Sequence, residues 1–157
     1  MSTTAGTPAL THQRTFTYRT TTEWLGRRNG RLSVKGRDPL VVSAPPEFRG
    51  EAAFLNPEEL FVASIESCFM LTFVSMVEKY HLPVDAYFSE CTGVLELANG
   101  EFRFTRIVIK PTVIINQADA APRVLQILEH ANRDCLITNS IQAEVKLQPD
   151  VVMSVSE

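Results

Sequence analysis

The sequence is short of several features that would declare a class. It has no basic excess: 15 lysines and arginines stand against 18 aspartates and glutamates, a formal charge of −3. Nothing in that balance drives binding to a phosphate backbone, so nucleic acid is not an expected partner. There is no uninterrupted apolar run of the roughly eighteen residues that a membrane span needs. The most apolar stretch is broken by Ser64, Glu66 and Ser67, so no membrane partner is expected either. The opening MSTTAGTPALTHQRTF lacks the apolar core of a signal peptide, and the cytoplasm is the expected setting. Cysteine is scarce, with three in 157 residues, too few for a disulfide framework. No short C-x-x-C spacing exists, which speaks against a zinc site and against a thioredoxin-like motif. His12, His81 and His130 are the only histidines, and no bound metal or cofactor is expected. Repeats, low-complexity blocks and linkers are also missing. A length of 157 residues at 45% hydrophobic content suits one globular domain over 1–157, with the small, polar residues 1–13 as a mobile tail.

What is there is organised around one stretch, Asn56 to Tyr80, NPEELFVASIESCFMLTFVSMVEKY. Asn56 suits the N-cap, because its side-chain oxygen can accept from a first-turn N–H that lacks a helical partner. Pro57 suits the first helical position, where a missing N–H costs nothing. Glu58 and Glu59 meet the positive end of the helix dipole, Lys79 and His81 the negative end, and Pro83 stops continuation. Leu60, Phe61, Val62, Ile65, Phe69, Leu71, Phe73, Val74 and Val77 cover nearly the whole circumference. A helix that is apolar all round is buried.

Around it the pattern predicts strands. Thr-rich, aromatic RTFTYRTTTEWL (14–25) reads as a strand, Asn29-Gly30 as a hairpin turn, 31–35 as the return, and PLVVS (39–43) as a third strand. A Pro-rich loop, 44–55, carries Arg49 to the helix start. Val84–Ala98 and Glu101–Ile115 read as a second hairpin through Asn99-Gly100, with Pro111 marking a bulge or an edge. Asp119 is a plausible cap for a second helix over 120–133, whose stripe is Val124, Leu125, Ile127, Leu128 and Ala131. A last strand is expected at 143–147, followed by a short tail. The order is βββ-α-ββ-α-β, an α+β fold with antiparallel sheet around a long buried central helix. One sheet covers only one side of such a helix, so a second copy of the chain is expected to cover the rest, giving an intertwined homodimer.

Three residue types could carry chemistry. Cys68 lies mid-helix, where a lone cysteine ordinarily serves as a small hydrophobe. Cys135 follows the second helix, and if the helices pack together the two thiols could approach within disulfide range. Cys91 lies within a predicted strand and reads as structural. An unperturbed thiol is only a few per cent ionised at neutral pH, so nucleophilic use requires a nearby cation held by a carboxylate. Arg49 and Arg28 are the loop candidates, and Glu58 the candidate holder.

NPEELFVASIESCF resembles the signature of the organic hydroperoxide resistance and osmotically inducible protein family (OsmC/Ohr), and DCLITNSI resembles its second signature. The resemblance implies that Cys68 is the peroxidatic cysteine, Cys135 the resolving one, and Glu58 the carboxylate that pairs with the active-site arginine. GRRNG resembles the segment that supplies this arginine in one branch, pointing to Arg28; PPEFRG resembles the segment used in the other, pointing to Arg49. It further implies a thiol-dependent peroxidase of organic hydroperoxides in oxidative-stress defence, a homodimer, and an external dithiol reductant of lipoyl type, either a lipoylated or another dithiol protein. Phe61, Phe69, Met70 and Phe73 are the expected apolar lining for the peroxide. Ten helical residues rise about 15 Å, so Glu58 is expected to serve the site of the partner subunit. The alternative is a non-enzymatic, hotdog-like dimer that binds an acyl or other apolar ligand.

Overall fold

A computed structural model describes residues 14–155; the tail read at 1–13, with His12, lies outside them. The chain falls into two compact units that divide between Phe54 and Leu55.

The first unit is a three-stranded antiparallel sheet, β1 (Thr21–Gly26), β2 (Asn29–Ser33) and β3 (Leu40–Ser43), in the order β1-β2-β3. The strand expected from Arg14 starts only at Thr21, and residues 14–20 have no regular structure. The first turn is also displaced. Asn29 and Gly30 lie inside β2, opposite Gly26 and Trp24, and the chain reverses through Arg27 and Arg28. The physical reason is that Gly26 (φ +99) and Arg27 (φ +48) take the positive dihedrals of the bend. Asn29 is used elsewhere: its amide donates to Glu51 Oε1 at 2.8 Å.

The second unit holds two helices and a sheet. Helix α1 (Pro57–Tyr80) begins with a reciprocal capping box. Glu59 N–H donates to Asn56 Oδ1 at 2.8 Å, and Asn56 N–H donates to Glu59 Oε2 at 3.0 Å. His81, in a left-handed conformation (φ +51), closes its other end. Strands β4 (Val84–Ala98) and β5 (Glu101–Ile115) form a long antiparallel hairpin through Asn99-Gly100, both at positive φ as that turn requires. Helix α2 (Ala121–Asp134) follows a single 3-10 turn at Ala118–Ala120. Asp119 lies inside that turn and makes no capping bond. Val124, Ile127, Leu128 and Ala131 are buried as expected, but Leu125 points outward, 39% exposed.

The sheet is mixed rather than antiparallel. After α2 the chain returns parallel to β5, first as β6 (Glu144–Leu147) against 106–109 and then as β7 (Asp150–Met153) against 112–115. The expected terminal tail is therefore partly strand. Strand β5 is central, not an edge, and Pro111 is fully buried in it. It is tolerated because it falls in the gap between the two stretches that pair with β6 and β7.

Ile65, Phe69 and Phe73 of α1, the α2 stripe, and Ile107, Ile109, Val113 and Ile115 of β5 form one core. Those three are the only α1 residues buried outright, and Leu71 is 62% exposed. The expectation of all-round burial is thus met on one face only within a single chain. By length and composition α1 could cross a membrane, with a mean hydropathy of 1.9. Its charged Glu66 is instead tied to the sheet, accepting from Ser89 Oγ of β4 at 2.6 Å.

Helix α1 lies so close on β4 that a Cβ at Gly93 would stand 2.6 Å from Val62 Cγ2 and 2.8 Å from Phe104 Cε1. Gly93→Ala is expected to cost about 1–3 kcal/mol through overpacking. Urea unfolding should show a lower midpoint at unchanged slope; an unmoved midpoint would mean that helix and strand are not in such contact.

Candidate active site

Packing of α2 on α1 brings the C-terminal end of α2 to the middle of α1. Cys68, partly exposed, and Cys135, fully buried at the C-cap of α2, are both free thiols and are neighbours in the packed structure, close enough to interact electrostatically. The turn after α2 is held by the Cys135 carbonyl, which accepts from Thr138 Oγ1 at 3.0 Å and from Asn139 N–H at 3.1 Å. Burial pushes the Cys135 thiol up; hydrogen bonds from Thr138 offset part of this, and the neighbouring Cys68 sulfur adds to it.

Cys68 opens onto a groove of about 710 Å³ on the flank of α1. Its floor is Ser64, Cys68, Leu71, Thr72, Ser75, Met76 and Lys79, and its far wall is Asp134, Leu136 and Ile137. The lining expected from Phe61, Phe69, Met70 and Phe73 is not found there. Phe69 and Phe73 are buried in the core, and Phe61 stacks on Phe104 at 4.6 Å between centroids. At 100° per residue, positions one and five after Cys68 turn away from it, whereas three, four, seven and eleven return. That periodicity could have picked out Leu71, Thr72, Ser75 and Lys79; nothing local signals Asp134, Leu136 or Ile137.

Glu58 lies in the first turn of α1, and its Oε2 is buried with no hydrogen-bond partner among the described residues. It is ten residues (68 − 58) from Cys68 on one continuous helix, about 15 Å of rise. The structure does not bring these two together within one chain.

Arg28 and Arg49 belong to the first unit, and both are exposed. They were alternatives in the sequence, and the Arg28 backbone is tied to the start of the loop that carries Arg49. The Arg28 carbonyl accepts from Ala44 N–H at 3.2 Å and from Ser43 Oγ at 3.4 Å. Ser43 Oγ in turn accepts from Glu51 N–H at 2.9 Å. A Cβ on Gly50 would stand 1.5 Å from the Ala44 carbonyl oxygen, so only glycine lets this loop fold back. Arg49, beside it, is held in the left-handed region (φ +66) by a bond from its N–H to Pro46 O at 3.0 Å.

Cys91 sits on β4 beside Glu66. Burial, with the Glu66 charge adding, pushes its thiol up to about 12. Tyr87 is raised too, by burial first; Ser89 tempers the rise, and Glu66 and Cys91 add to it. The Tyr87 oxygen nevertheless has no well-formed hydrogen bond among the described residues. Cys91 is thus a poor nucleophile, in keeping with a structural role.

Comparison with known proteins places this architecture. The family model described as OsmC-like protein matches residues 50–150, which include Glu58, Cys68 and Cys135 and exclude both arginines. The Bacillus subtilis protein YmaD is 25% identical over 129 residues, covering 80% of this chain and 86% of its own. Among solved structures, an OsmC-like protein of unknown function from Vibrio cholerae superposes with a TM-score of 0.79 at 24% identity, covering 86% of this chain and 99% of its own. An organic hydroperoxide resistance protein from Elizabethkingia anophelis superposes with a TM-score of 0.71 at 19% identity, covering 90% and 99%.

The Cys91 environment makes a prediction. Its folded value lies above the ordinary 9.0, at about 12, so the unfolded chain loses this proton first as pH rises. The contribution is whole below about pH 9 and drains away as pH climbs towards about 12. Stability should fall through that window, and Cys91→Ala should flatten the fall, read as urea midpoints against pH. Alkylation mapped by mass spectrometry at pH 8 should leave Cys91 unlabelled while Cys68 reacts.

Proposed function

This chain belongs to the OsmC-like protein family, and from that membership we propose that it is a cysteine-based peroxidase that reduces organic hydroperoxides. The observation that carries the reading is the pairing of Cys68, open to the groove, with the buried Cys135 thiol. Family membership and a fold shared with proteins named for organic hydroperoxide resistance support it.

The chemistry runs as two displacements. The Cys68 thiolate attacks the outer oxygen of ROOH; an S–O bond forms, the O–O bond breaks, and the alkoxide leaves and takes a proton as ROH. Cys68 is now a sulfenic acid. The Cys135 sulfur attacks it, the S–S bond forms, and water leaves. Two exchange steps with an external dithiol of lipoyl type restore both thiols and oxidise that dithiol to its disulfide. The steps require no bound metal or organic cofactor. The apolar groove walls Leu71, Met76, Leu136 and Ile137 favour an organic peroxide over hydrogen peroxide.

A guanidinium, from Arg49 or Arg28, pairs with the attacking Cys68 sulfur and stabilises the departing alkoxide. Glu58 holds that guanidinium. A buried carboxylate oxygen without a partner is costly, and a charged donor fork is its natural complement. Because Glu58 stands three helical turns from Cys68, it serves the site of a second copy. The same dimer covers the outward face of α1, where Ala63 is exposed and Met70 and Val74 only half-buried.

One equivalent of t-butyl hydroperoxide should remove two of the three thiols and yield a Cys68–Cys135 cross-linked peptide; no loss of thiol would turn the reading towards the ligand-binding dimer. Cys68→Ser should abolish peroxide consumption, and Cys135→Ser should stop at a sulfenic acid that dimedone traps. Of Arg49→Ala and Arg28→Ala, the variant that loses about 10²–10³ in kcat identifies the working guanidinium. Dimers that pair a Cys68→Ser chain with a Glu58→Ala chain should regain one active site, since an intact Glu58 then faces an intact Cys68 across the interface. Mixed dimers as inactive as their parents would place both groups in one chain.

A further inference from the structure

Apart from the thiols, the first unit carries a cleft whose charged lining is all of one sign. The β1–β2 ladder runs through Glu23 opposite Arg31 and ends at Thr21 opposite Ser33. Residues of one face lie two apart along a strand, so the next pair on this face would set Arg19 against Lys35. Like charges directly opposed are destabilising. The ladder does not continue. Residues 14–20 have no regular structure, and past Ser33 the chain turns at Gly36 (φ +78), where Arg37 N–H donates to Val34 O at 3.1 Å. Between the two segments lies a cleft of about 480 Å³, lined by Thr17, Arg19, Thr21, Ser33, Val34 and Lys35.

Two cations and three hydroxyls thus line the cleft, against one apolar side chain, Val34. Among the described residues, no carboxylate lies within ion-pair distance of Arg19 or Lys35. The side chains of Thr17, Arg19, Thr21, Ser33 and Lys35 also have no hydrogen-bond partner among those residues. Glu23, one pair further along the same face, is taken by Arg31 at 2.6 Å, and Asp38, past the turn, does not line the cleft. This local excess of positive charge stands in a chain whose formal charge is −3.

We propose that the cleft binds the phosphoryl group of a small phosphomonoester. Such a group carries about −1.5 to −2 charges at neutral pH and so matches the two cations in number. The planar Arg19 fork suits two of its oxygens, Lys35 supplies a point charge, and the hydroxyls of Thr21 and Ser33 donate to the rest. The bound dianion turns the repulsion between Arg19 and Lys35 into a bridge. A phosphodiester, with a single charge, leaves one cation unmatched. All six lining residues belong to the first unit, and the assignment needs neither Cys68 nor a peroxide.

Glycerol 3-phosphate titrated into the full chain at fixed ionic strength, read by its phosphorus chemical shift, should show saturable binding. Arg19→Ala and Lys35→Ala should each weaken it roughly tenfold, and Arg19→Lys should weaken it less than Arg19→Ala. Both side chains are exposed, so these variants should keep the wild-type urea midpoint. Dimethyl phosphate, with one charge, should bind at least tenfold more weakly than the monoester. Cys68→Ser should bind glycerol 3-phosphate as wild type does, which separates this site from the peroxidase reading. Absence of saturation, or an affinity that both alanine variants leave unchanged, overturns the proposal. Binding to phosphatidate vesicles through Arg19 and Lys35, with none to glycerol 3-phosphate, would assign the phosphoryl group to a lipid and overturn the small-molecule assignment.

Discussion

The contact between the end of α2 and the middle of α1 is the constraint on which the rest depends. It sets a fully buried thiol against a partly open one, and each element around it serves that placement. The capping box at Asn56 and Glu59 starts α1 in one register, so Cys68 faces the flank and not the sheet. The crossover from β5 through α2 to β6 lays the α2 stripe on the core and leaves Cys135 at the helix end. The turn that follows is fastened through Cys135's own carbonyl, so the sulfur's position is not left to a loose loop.

Helix α1 reads as apolar on every side because it has three tasks, one for each direction. Ile65, Phe69 and Phe73 face the sheet and α2. The flank through Cys68 and Lys79 forms the groove. The third direction, through Ala63, Met70 and Val74, is not fully covered in a single chain. An even distribution of apolar residues is what such a helix needs if its last face meets a second copy, and a one-sided amphipathic helix would not serve. Phe69 and Phe73, which look in sequence like a pocket lining, belong instead to the sheet side, and the groove takes its apolar character from shorter side chains.

The three cysteines are chemically alike and differ only in surroundings. Cys91 shares a half-buried strand position with the Glu66 carboxylate, and both burial and charge oppose its thiolate. Cys135 is wholly buried, and the Cys68 sulfur adds to the cost of ionising it. Cys68 lines an open groove. These differences follow from solvent access and neighbouring charge.

Much of this was legible in the chain. Both ends of α1 were, because capping is chemistry between neighbours: Asn56, Pro57 and Glu59 at one end, His81 and Pro83 at the other. The β4–β5 hairpin was too, since Asn99 and Gly100 supply the two positive dihedrals unaided. The motifs around Cys68 and Cys135 pointed to the family. The same Asn-Gly pair at 29–30 misled, because a bond from Asn29 to the distant Glu51 and the freedom of Gly26 moved the turn. Strand β7, the parallel return along β5 and the tolerance of Pro111 were out of reach, since each depends on what lies beside β5 and not on what precedes it in the chain. The approach of the two thiols, and the tie between the Arg28 carbonyl and the loop that carries Arg49, were likewise decided in three dimensions. Local order follows from backbone geometry and first-turn hydrogen bonds, which adjacent residues determine; a distance between residues 67 positions apart (135 − 68) exists only once two helices have buried their stripes against a common sheet.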